Sequence, residues 1–295
     1  MKVLHFDVDN ELKKHLEGEV TDKSLQDFDD LAATKLEVIS IKSASNANKE
    51  TLSKFSNLKL LVTRTVGMDH IDIDYCKAQN IKVKNILDYG SFNIAEHVFA
   101  LILSGARNVI HTQQDIHRGK FSYVGHLGVS LKGKTLGVVG TGKIGLEVIK
   151  RANGFEMDVL AYDVYKNEKA QKELGYKYVS LEELASRSDI ITLHAPLLES
   201  TKHIINNEII DLMKEGVILI NTARGGLIRT QDLIKSIDKF RWVGLDVLED
   251  EKSFSKDHPL LQFENVVITP HLAFYSDASV KKIASETKKL ISDFI

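Results

Sequence analysis

Three apolar runs in the second half of the chain each end in a side chain suited to holding a carboxylate or moving a proton. Ile218-Leu219-Ile220-Asn221 continues through Thr222 and Ala223 into Arg224-Gly225-Gly226. Gly244-Leu245-Asp246-Val247 leads into the acidic run Glu249-Asp250-Glu251, and Val267-Ile268-Thr269-Pro270 leads into His271. A planar guanidinium clamps a carboxylate with two parallel hydrogen bonds. An imidazole exchanges a proton near neutral pH, and a carboxylate beside it favours its charged form. Each residue also has an ordinary reading: a surface arginine, a satisfied core histidine among the 11 histidines present, a solvated acidic loop. The glycine pair after Arg224 allows close backbone approach and raises it above a surface arginine.

A fourth feature supplies a partner for that chemistry. The β-rich stretch 134–139 runs into Gly140-Thr141-Gly142-Lys143-Ile144-Gly145, and a helical pattern with Ile144, Val148 and Ile149 comes after it. In such a strand–turn–helix, the first glycine permits a tight turn. The second lets backbone N–H groups approach a pyrophosphate at the helix N-terminus, and the third lets helix pack on strand. The next strand, 157–162, ends in Asp163, 18 residues past Gly145. That is near the distance of an acid that hydrogen-bonds an adenosine ribose. Arginine, glutamate and histidine beside a dinucleotide are what hydride transfer to a 2-oxo acid requires. About 130 residues precede the motif, so the nucleotide domain is inserted in, or succeeds, another domain.

The elements that must position these residues alternate strand with helix, the mark of βαβ units and parallel sheets. At 295 residues the chain exceeds what one core usually organises. Strands are expected at 2–8, 36–41, 58–63 and 81–83, with a helical polar segment at 49–56. Residues 93 to 117 read as one long helix capped by Asn93, with Ile94, Val98, Leu101, Ile102 and Gly105 on one face. Further strands are expected at 135–139, 158–162, 189–193, 217–221, 242–245 and 266–269, and a last helix at 276–295. Crossings between two lobes are expected near Ile94 and His271, giving domains 1–93, 94–271 and 272–295, with the substrate in the cleft. Strand carboxyl ends are where such sheets bind ligands.

Composition excludes several classes. With 43% hydrophobic and 27% charged residues, a net charge of −2 and no block of like charge, no nucleic-acid or membrane-surface partner is expected. The single cysteine, Cys76, excludes an internal disulfide and a cysteine metal cluster and fits a reducing cytosol. The first residues read as a strand with no signal block, and no apolar run reaches the ~18 residues of a membrane span. We expect a soluble, cytoplasmic protein. The acids around Asp69, His70, Asp72 and Asp74 read as a helix cap, with no metal expected.

The sequence resembles the D-isomer-specific 2-hydroxyacid dehydrogenases, and within them the D-lactate dehydrogenase branch. The resemblance spans nearly the whole chain. It includes the run from Thr63-Arg64-Thr65-Val66-Gly67 to Asp72, Asn93-Ile94-Ala95-Glu96-His97, the glycine fingerprint, and Leu193-His194-Ala195-Pro196-Leu197. It continues through Asn221 to Gly225, Leu245-Asp246-Val247 with Glu251 five residues after the aspartate, and Thr269 to Tyr275. The resemblance implies an α/β fold of two doubly wound parallel-sheet domains, a Rossmann NAD-binding domain inserted in a flavodoxin-like substrate domain. It places the substrate arginine at Arg224, the dyad glutamate at Glu251 (with Glu249 as the other choice) and the general acid/base at His271. NAD contacts are implied at Gly140, Thr141, Gly142, Lys143, Ile144, Gly145, Asp163, His194, Ala195, Pro196, Thr222 and Ala223. Asp246 is implied to meet the carboxamide. Backbone N–H groups of Val66 and Gly67 would hold the substrate carboxylate, with Tyr89 and Phe274 lining an apolar side-chain pocket. A homodimer is implied, resting on Val98, Leu101, Ile102 and the 132–136 approach. Within the family, D-3-phosphoglycerate and hydroxypyruvate/glycerate enzymes share the triad, and Arg64 is the nearby cation that would suit a phosphate. No regulatory domain is expected beyond Ile295, which favours the lactate branch. A non-catalytic NAD-sensing co-repressor is the reading from another class. One departure is the stretch 236–241, tighter than in relatives and lacking their glycine turn.

Overall fold

The computed structural model describes residues 1–249 and 251–295. Asp250, in the acidic run, lies outside them. The chain divides into two compact units, Met1–Gly90 with Tyr275–Ile295, and Ser91–Phe274.

In the first unit, β1 (Val3–His5), α1 (Asn10–Lys13), β2 (Glu19–Val20), α2 (Asp30–Ala33), β3 (Val38–Ile41), α3 (Lys49–Leu52), β4 (Leu60–Thr63), α4 (Ile73–Ala78) and β5 (Lys82–Asn85) succeed one another in order. The strands pair in parallel as β2-β1-β3-β4-β5. β3 and β4 are buried on both faces, as parallel strands covered by helices must be. The 2–8 run is shorter than expected because Asp7 turns to φ +52 and leaves extended geometry. Asp72 caps α4 by accepting from the Tyr75 N–H, and Asp74 lies in the first turn of that helix. Phe6, fully buried, sits edge-on to Phe28 and Phe55 at 4.9 and 6.1 Å. Such a ring contributes roughly 1.5–3 kcal/mol by burial.

The second unit opens with α5 (Ser91–Ala106) and α6 (Val109–His117), which corrects the single helix expected from 93 to 117. The break is Asn108 at φ +54, a left-handed conformation that asparagine tolerates. Its side-chain amide donates to the carbonyls of His126 and Leu127, which fixes the loop beyond α6. Asn93 is correspondingly a buried residue inside the first turn of α5 and not its cap. Val98, Leu101 and Ile102, expected at a dimer seam, are core residues of this unit, so no partner rests on them. Gly105 lies against Trp242, where a Cβ would come within 2.1 Å of the ring.

β6 (Thr135–Val139), α7 (Lys143–Gly154), β7 (Asp158–Tyr162), α8 (Glu168–Leu174), β8 (Lys177–Tyr178), α9 (Leu181–Arg187) and β9 (Ile190–Leu193) come next. α10 (Asn207–Leu212), β10 (Val217–Asn221), α11 (Thr230–Lys235), β11 (Phe240–Leu245) and β12 (Val266–Ile268) complete the unit. All pairs are parallel, in the order β12-β11-β10-β9-β6-β7-β8. The order reverses beside β6, and that switch point is where doubly wound sheets take ligands. The glycine-free link before β11 is a 3-10 turn, Ile237–Lys239, whose flanks are held by the Asn265 amide on the Ile237 and Phe240 carbonyls. Finally α12 (Asp277–Ser292) returns to the first unit, where Ile291 packs with Val38, Leu60 and Val62. Apart from the shortened first strand, the expected strands begin and end within two residues of the observed ones. Among the described residues no helix is long and apolar enough to cross a membrane.

Candidate active site

The glycine fingerprint forms the mouth of β6. Gly140 has φ +97, and a Cβ there would lie 2.7 Å from the Ala195 nitrogen and the His194 carbonyl carbon. A Cβ on Gly145 would meet the Gly140 carbonyl at 2.0 Å, so two of the three glycines are sterically required. Gly142 caps α7 with no side-chain hydrogen bond and has open space around its Cα, with Lys143 and Ile144 next in the first turn. Unsatisfied N–H groups at the start of a helix form a ready anion site.

Asp163 ends β7. One carboxylate oxygen accepts from the Thr141 N–H (2.6 Å) and hydroxyl (3.0 Å), and the other accepts from the Tyr165 N–H (2.9 Å). Its orientation is therefore fixed beside the fingerprint. At the ends of β9 and β10 two buried polar atoms, His194 Nδ1 and Thr222 Oγ1, find no partner among the described residues. Buried polar groups are rarely left unpaired, so both ask for a bound group. The other His194 nitrogen meets Thr192 Oγ1 at 2.9 Å. Burial pushes the His194 pKa down to about 3, which keeps the ring neutral. Ala195, Pro196 and Ala223, half-buried or exposed, flank these positions. Cradle, fixed acid and two orphaned polar atoms suit a dinucleotide.

The reactive residues come from the carboxyl ends of β10, β11 and β12. Asn221 shapes the first turn, its amide donating to the Arg224 carbonyl (2.9 Å) and its oxygen accepting from the Ala223 N–H (3.0 Å). Gly225 passes so close to Leu248 that a Cβ would sit 1.9 Å from its carbonyl. Gly225 thus lets two loops cross tightly beside Arg224. His271 has φ +53, and its Nδ1 lies 3.2 Å from Glu251 Oε1. The hydrogen bond to His271, helped by the Arg224 charge and opposed by burial, holds the Glu251 carboxyl below the usual range. Glu249 is engaged elsewhere: His203 Nε2 is 2.5 Å from one oxygen and the Thr230 N–H is 3.1 Å from the other. Arg224, Glu251 and His271 line one cavity of about 390 Å³, with Leu197, Val247 and Glu249. Phe274, half-buried, is not among the described residues lining it. The contact of Glu249 with His203 carries no signal in sequence, since 46 residues separate the two.

Asp246 turns its carboxylate fully inward. It accepts from the Thr269 hydroxyl and from the N–H groups of Leu272 and Ala273 (both 2.9 Å). In the first unit, the Val66–Gly67 turn has both carbonyls engaged, by Asn85 (2.8 Å) and by the Thr65 hydroxyl (2.6 Å). Neither N–H of that turn has a partner among the described residues. Tyr89 is buried in this unit, and its carbonyl accepts from Ser279 (3.0 Å). Arg64 is buried too, donating to Ser40 Oγ and to the carbonyls of Phe6 and Asp7. No cluster of metal-ligating side chains occurs among the described residues.

Comparison with known proteins finds relatives of one family over most of the chain. Residues 99–273 match the model of the D-isomer specific 2-hydroxyacid dehydrogenase, NAD binding domain. An aromatic 2-oxoacid reductase of Clostridium sporogenes is 39% identical over 273 residues, covering 87% of this chain and 82% of that protein. A D-3-phosphoglycerate dehydrogenase of Methanocaldococcus jannaschii is 37% identical over 262 residues, covering 86% of this chain. The match spans only 50% of that relative's length. The crystal structure of a D-lactate dehydrogenase from Aquifex aeolicus, complexed with NAD and lactic acid, is 39% identical with a TM-score of 0.89. It covers 99% of this chain and 95% of its own. The chain belongs to the D-isomer specific 2-hydroxyacid dehydrogenases, a family of NAD-dependent oxidoreductases.

Proposed function

We propose that the chain is an NAD-dependent D-2-hydroxyacid dehydrogenase that reduces pyruvate to D-lactate and accepts slightly larger apolar 2-oxo acids. The observation that carries this reading is the His271–Glu251 pair beside Arg224 in one cavity. Arg224 pairs with the substrate carboxylate and keto oxygen and polarises the carbonyl. His271, its Nδ1 held by the ionised Glu251, donates a proton from its other nitrogen to that oxygen. NADH, when bound, supplies the hydride. By the family resemblance, the N–H groups of Val66 and Gly67 are assigned to the carboxylate, and Tyr89 and Phe274 to a methyl or short alkyl substituent. The burial of Arg64 on Ser40, Phe6 and Asp7 removes the cation best placed to receive a phosphate. Comparing kcat/KM for pyruvate, phenylpyruvate, hydroxypyruvate and 3-phosphohydroxypyruvate tests the reading. Pyruvate leads on this account; a clear lead for the phosphorylated acid overturns the substrate. NADH consumption with none of a wider panel of 2-oxo acids favours the non-catalytic NAD-sensing reading.

Cofactor choice rests on Asp163, fixed by Thr141 and Tyr165. It accepts from ribose hydroxyls and repels a 2′-phosphate, so NADH is preferred over NADPH. Lys166, whose Nζ lies 5.9 Å from the Tyr178 ring centre, softens that preference. Asp163→Ser narrows the NADH-to-NADPH ratio of kcat/KM by roughly tenfold or more, the worth of one like-charge contact of 1.4 kcal/mol. An unchanged ratio removes Asp163 from the ribose site.

The dyad has a pH signature. Glu251 is held below its usual pKa, so it stays negative through the neutral range with its charge beside the imidazole. Glu251→Gln keeps the hydrogen-bond acceptor and removes the charge. Ketoacid reduction then loses the acid limb that protonation of Glu251 sets. Glu249→Gln leaves the limb in place. The reverse pattern transfers the role to Glu249.

We also propose a cytosolic homodimer with a small 2-oxo or 2-hydroxy acid as partner and no nucleic-acid or membrane partner. The loop after α6 carries Phe121 at 95%, Tyr123 at 89% and Leu127 at 87% exposure, an apolar patch that supports association. Light scattering at micromolar concentration should give twice the 33.1 kDa chain mass; the single-chain mass ends the proposal.

A further inference from the structure

We propose that His97 is a positioning residue for the proton donor, holding through Thr269 and Asp246 the turn that presents His271. This rests on the reading of His271 given above. His97 lies on α5, far from His271 in sequence, and its side chain is 17% exposed. Its Nε2 is 3.1 Å from Thr269 Oγ1 and 3.6 Å from Asp246 Oδ1. The Thr269 hydroxyl has one proton, and it goes to Asp246. Its oxygen can only accept from His97, so His97 Nε2 carries the hydrogen. Proton accounting fixes the tautomer.

That donor completes a closed set of bonds around the turn. The Asp246 carboxylate accepts from the N–H groups of Leu272 and Ala273, and the Asp246 carbonyl accepts from the N–H of His271 (2.9 Å). The Thr269 N–H donates to Leu245 (2.9 Å). Thr269, His271, Leu272 and Ala273 are thus all tied to the end of β11. The tie matters because His271 sits at φ +53, a conformation that a Cβ disfavours and that its surroundings must impose. His97 is the one basic side chain paired with the Asp246 carboxylate among the described residues. Burial lowers its pKa while Asp246 opposes this, which suits a neutral N–H donor at pH 7. A role in packing alone would need neither the hydroxyl nor the carboxylate in register with Nε2.

The test uses the full chain with NADH and whichever 2-oxo acid turns over fastest. His97→Leu removes the donor at similar bulk, and His97→Gln returns an N–H at similar reach. We expect His97→Leu to lower kcat about tenfold with KM for NADH within about twofold, the pattern of an interaction needed for the chemical step. His97→Gln should stay within about threefold of the parent kcat. Amide exchange at Leu272 and Ala273 should quicken about tenfold in His97→Leu and much less in His97→Gln. An unchanged kcat in His97→Leu, or equal losses in both variants, overturns the proposal. Should His97→Leu fail to fold, Thr269→Val removes the same bond from the other side, together with the hydroxyl's bond to Asp246, and must give at least the same loss; full activity there overturns it. If the parent chain turns over no 2-oxo acid, the dehydrogenase reading fails, and the exchange measurement still decides whether His97 holds the turn.

Discussion

Replacing His271 lowers kcat for 2-oxo acid reduction by 10²–10⁴ while NADH binding is retained, on the order of what a general acid contributes. In free energy that is roughly 3–5 kcal/mol of transition-state stabilisation. The choice of substitute matters because His271 is left-handed at φ +53. Alanine there tends to relax the turn, whereas asparagine tolerates the conformation. His271→Asn therefore isolates the lost proton donor, and His271→Ala adds any disorder of the turn. Stopped-flow reduction with saturating NADH, alongside fluorescence titration of NADH, separates chemistry from binding. A kcat within tenfold of the parent in both variants removes His271 as the donor.

Arg224→Gln lowers kcat/KM on the order of 10²–10³, with losses in both kcat and KM. The guanidinium is asked for two things: the substrate carboxylate in the ground state and the keto oxygen as charge grows on it. Arg224→Lys restores only part, because an ammonium lacks the planar fork. A secondary effect has a defined sign. The Arg224 charge is one cause of the depressed Glu251 pKa. Without it Glu251 protonates at higher pH, so the acidic limb of activity moves upward in Arg224→Gln. Steady-state profiles over pH and pyruvate concentration read both effects. A variant that loses only KM, with kcat intact, assigns Arg224 to binding and removes it from carbonyl activation.

Legibility in the sequence tracked the range of the interactions involved. Strand ends and the residues just beyond them are local features, so Arg224 and His271 could be singled out from the apolar runs that precede them, whereas Glu251 was preferred to Glu249 by its spacing from Asp246 in the family resemblance. The glycines at 140 and 145 were equally legible, since tight turns and close approach have few other solutions. Partners distant in sequence were not legible. Nothing local says that Glu249 reaches His203, or that Asp246 folds inward onto the Leu272 and Ala273 amides. The break at Asn108 was hidden because the apolar spacing runs through it, and only the left-handed φ and the bonds to His126 and Leu127 reveal it. Two-residue edge strands such as Glu19–Val20 and Lys177–Tyr178 have too few side chains to show a period. The apolar face of α5 was ambiguous between core and seam until Val98, Leu101 and Ile102 were found inside.

The central claim is a transfer of hydride to the keto carbon with a proton placed on its oxygen from one fixed side. Reduction of pyruvate with NADH deuterated at both C4 positions, then chiral separation and mass analysis of the product, tests it most directly. The account predicts D-lactate with a single deuterium, at C2. L-lactate, or lactate without deuterium at C2, would contradict it.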